Sequence, residues 1–286
     1  MVEKSPFPEE WQTEYLSAYL KVMKLWGVEY QSYEVETSFG TTHLNLSGSD
    51  TKPPLILLHA AAVSSVEWYA NAAVLSQHFN ILAIDTMGDC GWSRPQKQIK
   101  SREQYNQWLL EIIDHFQLEK INIMGHSYGG WLALNFAMSN PERLDKLVLL
   151  APAASITSFK LFMQIALRMP NLPIMPSTEK TLKMMAHRDY QPPNEFITFM
   201  DIVNKHCRPK MVFPTVYTDK ELQSVTTPTL LLVGDEEKIY SPLKAVERAR
   251  KNIPNLKSEI IMKAGHTLNM EQPDIVNSKV IQFLNK

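Results

Sequence analysis

Gly125-His126-Ser127-Tyr128-Gly129 fits the pattern Gly-x-Ser-x-Gly, with an apolar strand-like stretch at 120–124 before it and a helix-like stretch at 131–138 after it. A serine on a sharp strand-to-helix turn is held in a strained backbone conformation that keeps its hydroxyl clear of the sheet, and chain segments approach closely at the flanking positions. Gly125 and Gly129 supply the missing side chains that this approach requires. Five-residue patterns recur by chance, and an ordinary glycine-rich turn is the bland alternative. The strand before the turn and the helix after it make Ser127 a candidate nucleophile.

Working outward, short apolar runs occur at 55–58, 81–84, 121–124, 147–150, 230–233 and 259–262, most of them rich in Leu, Ile and Val. Continuous apolar strands are those covered on both faces, as in a parallel sheet with helices on either side. Helix-like segments at 64–77, 101–116, 128–139, 242–252 and 274–284 alternate with them, as right-handed crossovers require. Upstream, 30–37 and 42–46 read as an antiparallel hairpin joined through Phe39-Gly40. Trp11, Tyr15, Tyr19, Val22, Leu25 and Trp26 recur at spacings of three and four, an amphipathic helix ended by Gly27 and expected to pack on the core rather than on another subunit.

The alternation breaks between Ala154 and about Leu222. That interval carries Met163, Met169, Met175, Met184, Met185, Met200 and Met211, with prolines at 170, 173, 176, 192, 193, 209 and 214. It reads as a helical insertion over one end of the sheet, whose methionines serve either ordinary packing or a deformable pocket roof.

The chain of 286 residues suits one large α/β core with an insertion. Its 29 basic and 30 acidic residues form no long block of one sign, which argues against nucleic acid and anionic membrane as partners and for a small molecule. Cys90 and Cys207 are too few for a disulfide framework, the start MVEKSPFPEE lacks the order of a signal peptide, and no segment approaches the roughly 20 apolar residues of a membrane span. The expectation is a soluble cytoplasmic protein, monomeric or homodimeric.

A serine hydroxyl is a poor nucleophile near neutral pH, so it needs an imidazole to take its proton and a carboxylate to orient that imidazole. On a sheet of this kind the chain order is serine, acid, histidine. His266 follows the 259–262 run, lies after every acid candidate and fits the base. Most other histidines read as surface or structural, and His59 and His126, each in a site loop, read as buttresses. The acid is expected in Gly234-Asp235-Glu236-Glu237, where Glu237, three residues past the glycine, is preferred to Asp235 and then Glu236. Charge on the carbonyl oxygen must meet backbone donors. The amide of Tyr128, next after the nucleophile, is one; Ala61 in His59-Ala60-Ala61-Ala62 is the choice for the second, with Ala60 as runner-up and close packing as the bland reading of the alanines.

His59, the Asp85-x-x-Gly88-x-x-Gly91-x-Ser93 turn, the 125–130 turn, the acid loop and Ala264-Gly265-His266 stand in an order that resembles an α/β-hydrolase with an inserted cap. Ser38-Phe39-Gly40-Thr41-Thr42-His43, the 213–225 stretch, and Ala264-Gly265-His266 through Met270-Glu271-Gln272-Pro273 resemble bacterial carboxylesterases of the naproxen-esterase kind. The resemblance implies a mostly parallel sheet with a helical cap inserted after the sixth strand: core at 1–155 and 223–286, cap at 156–222. It implies a small hydrophobic ester as substrate, Ser127, His266 and Glu237 as the triad, and neither metal nor organic cofactor. His59-Ala60 replaces the family's common His-Gly, the Asp85 turn is longer than usual, and the acid loop has one more residue before Pro242. Carbon–carbon or lactone hydrolysis on the same triad, and a hydrolase-like module that binds a small ligand, are the rival functions.

Overall fold

The computed structural model describes residues 9–160 and 177–286. The apolar runs become β3 (Pro54–Leu58), β4 (Asn80–Ile84), β6 (Ile121–His126), β7 (Leu144–Leu150), β8 (Thr229–Gly234) and β9 (Leu256–Ile261), and the expected hairpin becomes β1 (Gln31–Thr37) and β2 (Gly40–Ser47). They form one sheet in the order β1-β2-β4-β3-β6-β7-β8-β9, parallel from β4 to β9 and antiparallel at the hairpin. An unexpected two-residue strand, β5 (Arg94–Pro95), pairs with β2. It is too short to carry a periodic pattern, and Arg94 is anchored by two hydrogen bonds to Glu34 at 2.6 and 2.7 Å.

The inner strands β3, β4, β6, β7 and β8 are covered on both faces, which is why their runs are continuous, whereas the edge strand β9 is only half-buried. In β8, Leu231 and Val233 join one buried cluster while Leu230 and Leu232 join the other. The first cluster lies under α3 (Arg102–His115), α4 (Tyr128–Ser139) and α8 (Pro242–Asn252), contributing Trp108, Trp131, Phe136 and Val246. The second lies under α1 (Glu9–Met23) and, after the one-turn α9 (Leu268–Glu271), α10 (Pro273–Leu284), contributing Tyr15, Tyr19, Val276 and Val280.

The expected helix at 64–77 is instead a 3-10 turn, Ser65–Ala70, followed by the four-residue α2 (Ala72–Leu75). The cause is Glu67, drawn inward to accept the Ala60 amide at 2.7 Å and pair with His126. A regular solvent-facing helix would leave that carboxylate outside.

Between β7 and β8, one strand later than expected because the short β5 adds to the count, the described residues contain α5 (Thr178–Met185), α6 (Asn194–His206) and α7 (Asp219–Gln223) and no strand. Met185, Met200 and Met211 pack against the clusters while Met184 is exposed. Met163, Met169, Met175, Pro170, Pro173 and Pro176 lie outside the described residues. The N-terminal helix packs within its own chain: Tyr15 and Tyr19 are buried, their rings 5.3 and 6.3 Å from Phe199 of α6.

Cys90 and Cys207 are joined in a disulfide across a sequence separation of 117. Two cysteines make no framework, but the single bridge ties the Asp85 turn to the end of α6.

Candidate active site

Ser127 stands between the end of β6 and the first residue of α4, with φ 51° and ψ −111°. A non-glycine residue there costs about 1–3 kcal/mol and persists only where its surroundings enforce it. Three backbone bonds do so: Ser127 N–H to Leu150 O at 2.9 Å, and Ser127 O accepting from Ala153 at 3.0 Å and Trp131 at 3.1 Å. The flanking glycines are required by close approach. A Cβ on Gly125 would lie 2.3 Å from Gly129 O, and one on Gly129 would lie 2.0 Å from Leu58 O.

The loops after β8 and β9 bring two more groups to the serine. His266 Nε2 is 2.9 Å from Ser127 Oγ, and His266 Nδ1 is 2.7 Å from Glu237 Oε2. The imidazole and carboxylate are buried, at 1% and 0% side-chain exposure. With Nδ1–H donating to the carboxylate, the Nε2 lone pair faces the hydroxyl and can take its proton. Of the three candidate acids, only Glu237 meets the imidazole. Asp235 Oδ1 accepts the Ala264 amide at 3.1 Å, and Glu236 faces His187 at 3.5 Å and Lys238 at 3.3 Å.

The loop that carries His266 is also fastened to the segment between β7 and β8. His266 N–H donates to Met185 O at 2.7 Å, and a Cβ on Gly265 would lie 2.4 Å from that same carbonyl oxygen. Glu271 Oε2 accepts the amides of Gly265 at 2.8 Å and His187 at 2.6 Å, bridging the two segments.

The alanine-rich loop is shaped by two buried carboxylates. Ala60 N–H donates to Glu67 at 2.7 Å, and Ala62 N–H donates to Asp89 at 3.0 Å. The Ala61 N–H between them, and the Tyr128 N–H at the start of α4, have no acceptor among the described residues. Ala60 is thereby unsuited as a donor to substrate. The left-handed position falls at Ala62, φ 58°, and not at Ala60, so the missing His-Gly glycine leaves no strain at Ala60. His59 accepts the Thr86 amide at Nε2 (2.9 Å) and donates from Nδ1 to Ala60 O (2.7 Å), a buttress to the loop.

Electrostatics separates the two aspartates of the neighbouring turn. Burial pushes Asp89 up to about 7 despite His59 and two amides. Burial acts the same way on Asp85, but His43 and the Ser65 amide outweigh it and hold Asp85 at about 2. Glu67, Asp89 and Glu271 lie outside the site expected from the sequence; only Glu67 carried a signal, as the lone acid in the otherwise uncharged stretch 53–84 beside a site loop.

Among the described residues no cluster of three or more His, Cys, Asp or Glu side chains could hold a metal ion, and no helix is long and apolar enough to cross a membrane.

Residues 53–174 match a family model described as alpha/beta hydrolase fold. The chain is 37% identical over 279 residues to an uncharacterized carboxylesterase, Nap, of Bacillus subtilis, covering 95% of this chain and 92% of that protein. It is 32% identical over 277 residues to carboxylesterase YbfK of the same organism, covering 94% and 93%. The solved structure of naproxen esterase (carboxylesterase NP) from Bacillus subtilis is similar at TM-score 0.89 and 35% identity, over 97% of this chain and 99% of that one.

Proposed function

The chain belongs to the α/β-hydrolase family, and from that premise we propose that it is a serine carboxylesterase acting on small hydrophobic esters. The observation that carries this reading is the relay Ser127 Oγ, His266 Nε2, His266 Nδ1, Glu237 Oε2, with links of 2.9 and 2.7 Å. The carboxylesterase relatives support the same substrate class.

In the proposed reaction Ser127 Oγ forms a bond to the ester carbonyl carbon as its proton passes to His266 Nε2. The amides of Tyr128 and Ala61 receive the negative charge on the carbonyl oxygen. The imidazolium, held by Glu237, gives its proton to the alcohol oxygen as the carbon–oxygen bond breaks. Water then loses a proton to His266, attacks the acyl-enzyme and releases the acid. No step calls for a cofactor.

The expected cap at 156–222, of which 161–176 lie outside the described residues, and core at 1–155 and 223–286, of which 1–8 lie outside them, remain part of this reading, with the cap shaping the acyl or alcohol pocket. Cytoplasmic residence, the compartment expected from the sequence, stands against one observation: a bridged pair such as Cys90–Cys207 is rare in a reducing compartment. Fractionation of producing cells tests it.

A panel of p-nitrophenyl esters of increasing acyl length, with diketone and lactone substrates beside them, tests the function. Ester turnover that disappears in Ser127→Ala is expected. Undiminished turnover in that variant, or turnover of only the carbon–carbon or lactone substrates, contradicts it.

A further inference from the structure

The relay leaves unused a second buried histidine–glutamate pair beside it. His126 Nδ1 contacts Glu67 Oε1, and both side chains are 1% exposed. His126 Nε2 lies 2.8 Å from the backbone oxygen of His266, and the two imidazoles are 5.2 Å apart. Glu67 accepts the Ala60 amide at Oε2 (2.7 Å) and the Asn269 side-chain amide at Oε1 (3.2 Å).

A carbonyl oxygen can only accept, so His126 Nε2 carries a hydrogen. A carboxylate that already accepts from Ala60 and Asn269 is served as the anion, so His126 Nδ1 carries a hydrogen as well. The charged groups facing this ring are Glu67, its direct partner, and Glu237 across His266; the His59 loop faces Glu67. Burial acts against a charged His126, and the Glu67 charge and hydrogen bond outweigh it, holding the imidazole above its usual range.

Each end of the pair grips a different part of the apparatus. Glu67 takes the Ala60 amide, which leaves the neighbouring Ala61 amide without an acceptor among the described residues. His126 directly precedes Ser127 and fixes the carbonyl of His266. We propose that Glu67 and His126 are positioning residues, a carboxylate–imidazolium pair that keeps the oxyanion loop, the nucleophile turn and the His266 loop in one register. The inference rests on the esterase reading for its kinetic consequence, but the pair itself can be observed without turnover.

Glu67→Gln is nearly isosteric yet incompatible, because Ala60, His126 and Asn269 all present hydrogens and glutamine offers a single acceptor oxygen. A register error of about 1 Å costs on the order of 10²-fold in rate. In the full-length protein, E67Q and H126Q are therefore expected to lower kcat for p-nitrophenyl butyrate by roughly 10–10²-fold with KM changed by less than about threefold. The double variant E67Q/H126Q is expected to be no slower than the slower single variant, because both break one unit. Nitrogen-detected NMR of the imidazoles is expected to show His126 protonated on both ring nitrogens at pH 8 in the unaltered protein.

Folded E67Q and H126Q proteins with the original kcat overturn the proposal, as does multiplication of the two single effects in the double variant. A His126 ring with one bare nitrogen at pH 8 overturns it too. Should E67Q fail to fold, H126Q carries the kinetic test, since it leaves Glu67 its Ala60 and Asn269 donors. If the unaltered protein hydrolyses no ester, the esterase reading has failed, and the NMR result alone decides the pair.

Discussion

Replacing Glu237 with glutamine removes one acceptor from a position that uses two. Glu237 Oε2 takes the His266 Nδ1 hydrogen at 2.7 Å and Oε1 takes the buried Ile239 amide at 2.7 Å. Glutamine can serve only one of them with oxygen. If the Ile239 N–H loses its acceptor, the cost is about 1–3 kcal/mol. If instead the glutamine NH₂ faces His266, Nδ1 must become the bare nitrogen and Nε2 the protonated one. The imidazole then cannot take the Ser127 proton. Either way the productive arrangement is penalised by that 1–3 kcal/mol. The charge that steadies the imidazolium is also gone, worth about 4 kcal/mol for unit charges 4 Å apart at an effective dielectric of 20. The sum, about 5–7 kcal/mol, corresponds to roughly 10⁴–10⁵-fold in kcat. Steady-state hydrolysis of p-nitrophenyl butyrate measures it, with circular dichroism to verify folding. Asp235→Asn is the control, because Asp235 touches the Ala264 amide and not the imidazole; its kcat is expected within a few-fold of the original. A folded Glu237→Gln enzyme within tenfold of the original refutes the reasoning.

Asp89→Asn is expected to remove a pH slope in stability. The folded chain holds this carboxyl at about 7 against an ordinary 3.8, so it binds the proton more tightly than the unfolded chain does. The stability this provides is whole below about pH 4, falls as pH rises to about 7, and is flat above. Between pH 5 and 8 the asparagine variant should gain roughly 2–3 kcal/mol relative to the original, since its Oδ1 can still accept from Ala62 and Cys90 as that of Asp89 does at 3.0 and 2.8 Å. Parallel urea titration curves at both pH values contradict this. Reducing the Cys90–Cys207 bridge, which closes a separation of 117 residues, should cost about 5 kcal/mol. A melting temperature lower by about 10 °C is expected with dithiothreitol, and an unchanged melt with both thiols shown free contradicts it.

The parallel sheet was legible because strands covered on both faces must be apolar throughout, and β3, β6, β7 and β8 each showed that run. The Ser127 turn was legible for an equally local reason: Gly125 and Gly129 are demanded by contacts within the turn and with Leu58. Glu237 and His266 could be placed because their loops leave successive strands. Partners brought together by folding alone were not legible. Glu67 and His126 are 59 residues apart, and Cys90 and Cys207 117 apart. Neither separation follows from any period, and inward rotation of Glu67 is what broke the expected 64–77 helix. Ala60 drew attention as a missing glycine, whereas the left-handed residue is Ala62, a displacement set by the Glu67 and Asp89 carboxylates.

A covalent acyl-enzyme on Ser127 is the central requirement. Rapid mixing with a slowly deacylated p-nitrophenyl ester, acid quenching and peptide mass spectrometry measures it directly. One acyl group per chain on the peptide containing Ser127, formed with a stoichiometric burst of p-nitrophenol and absent from Ser127→Ala, is the expected result. A burst with the acyl group on another residue, or ester turnover with no acylated peptide and no burst, contradicts it.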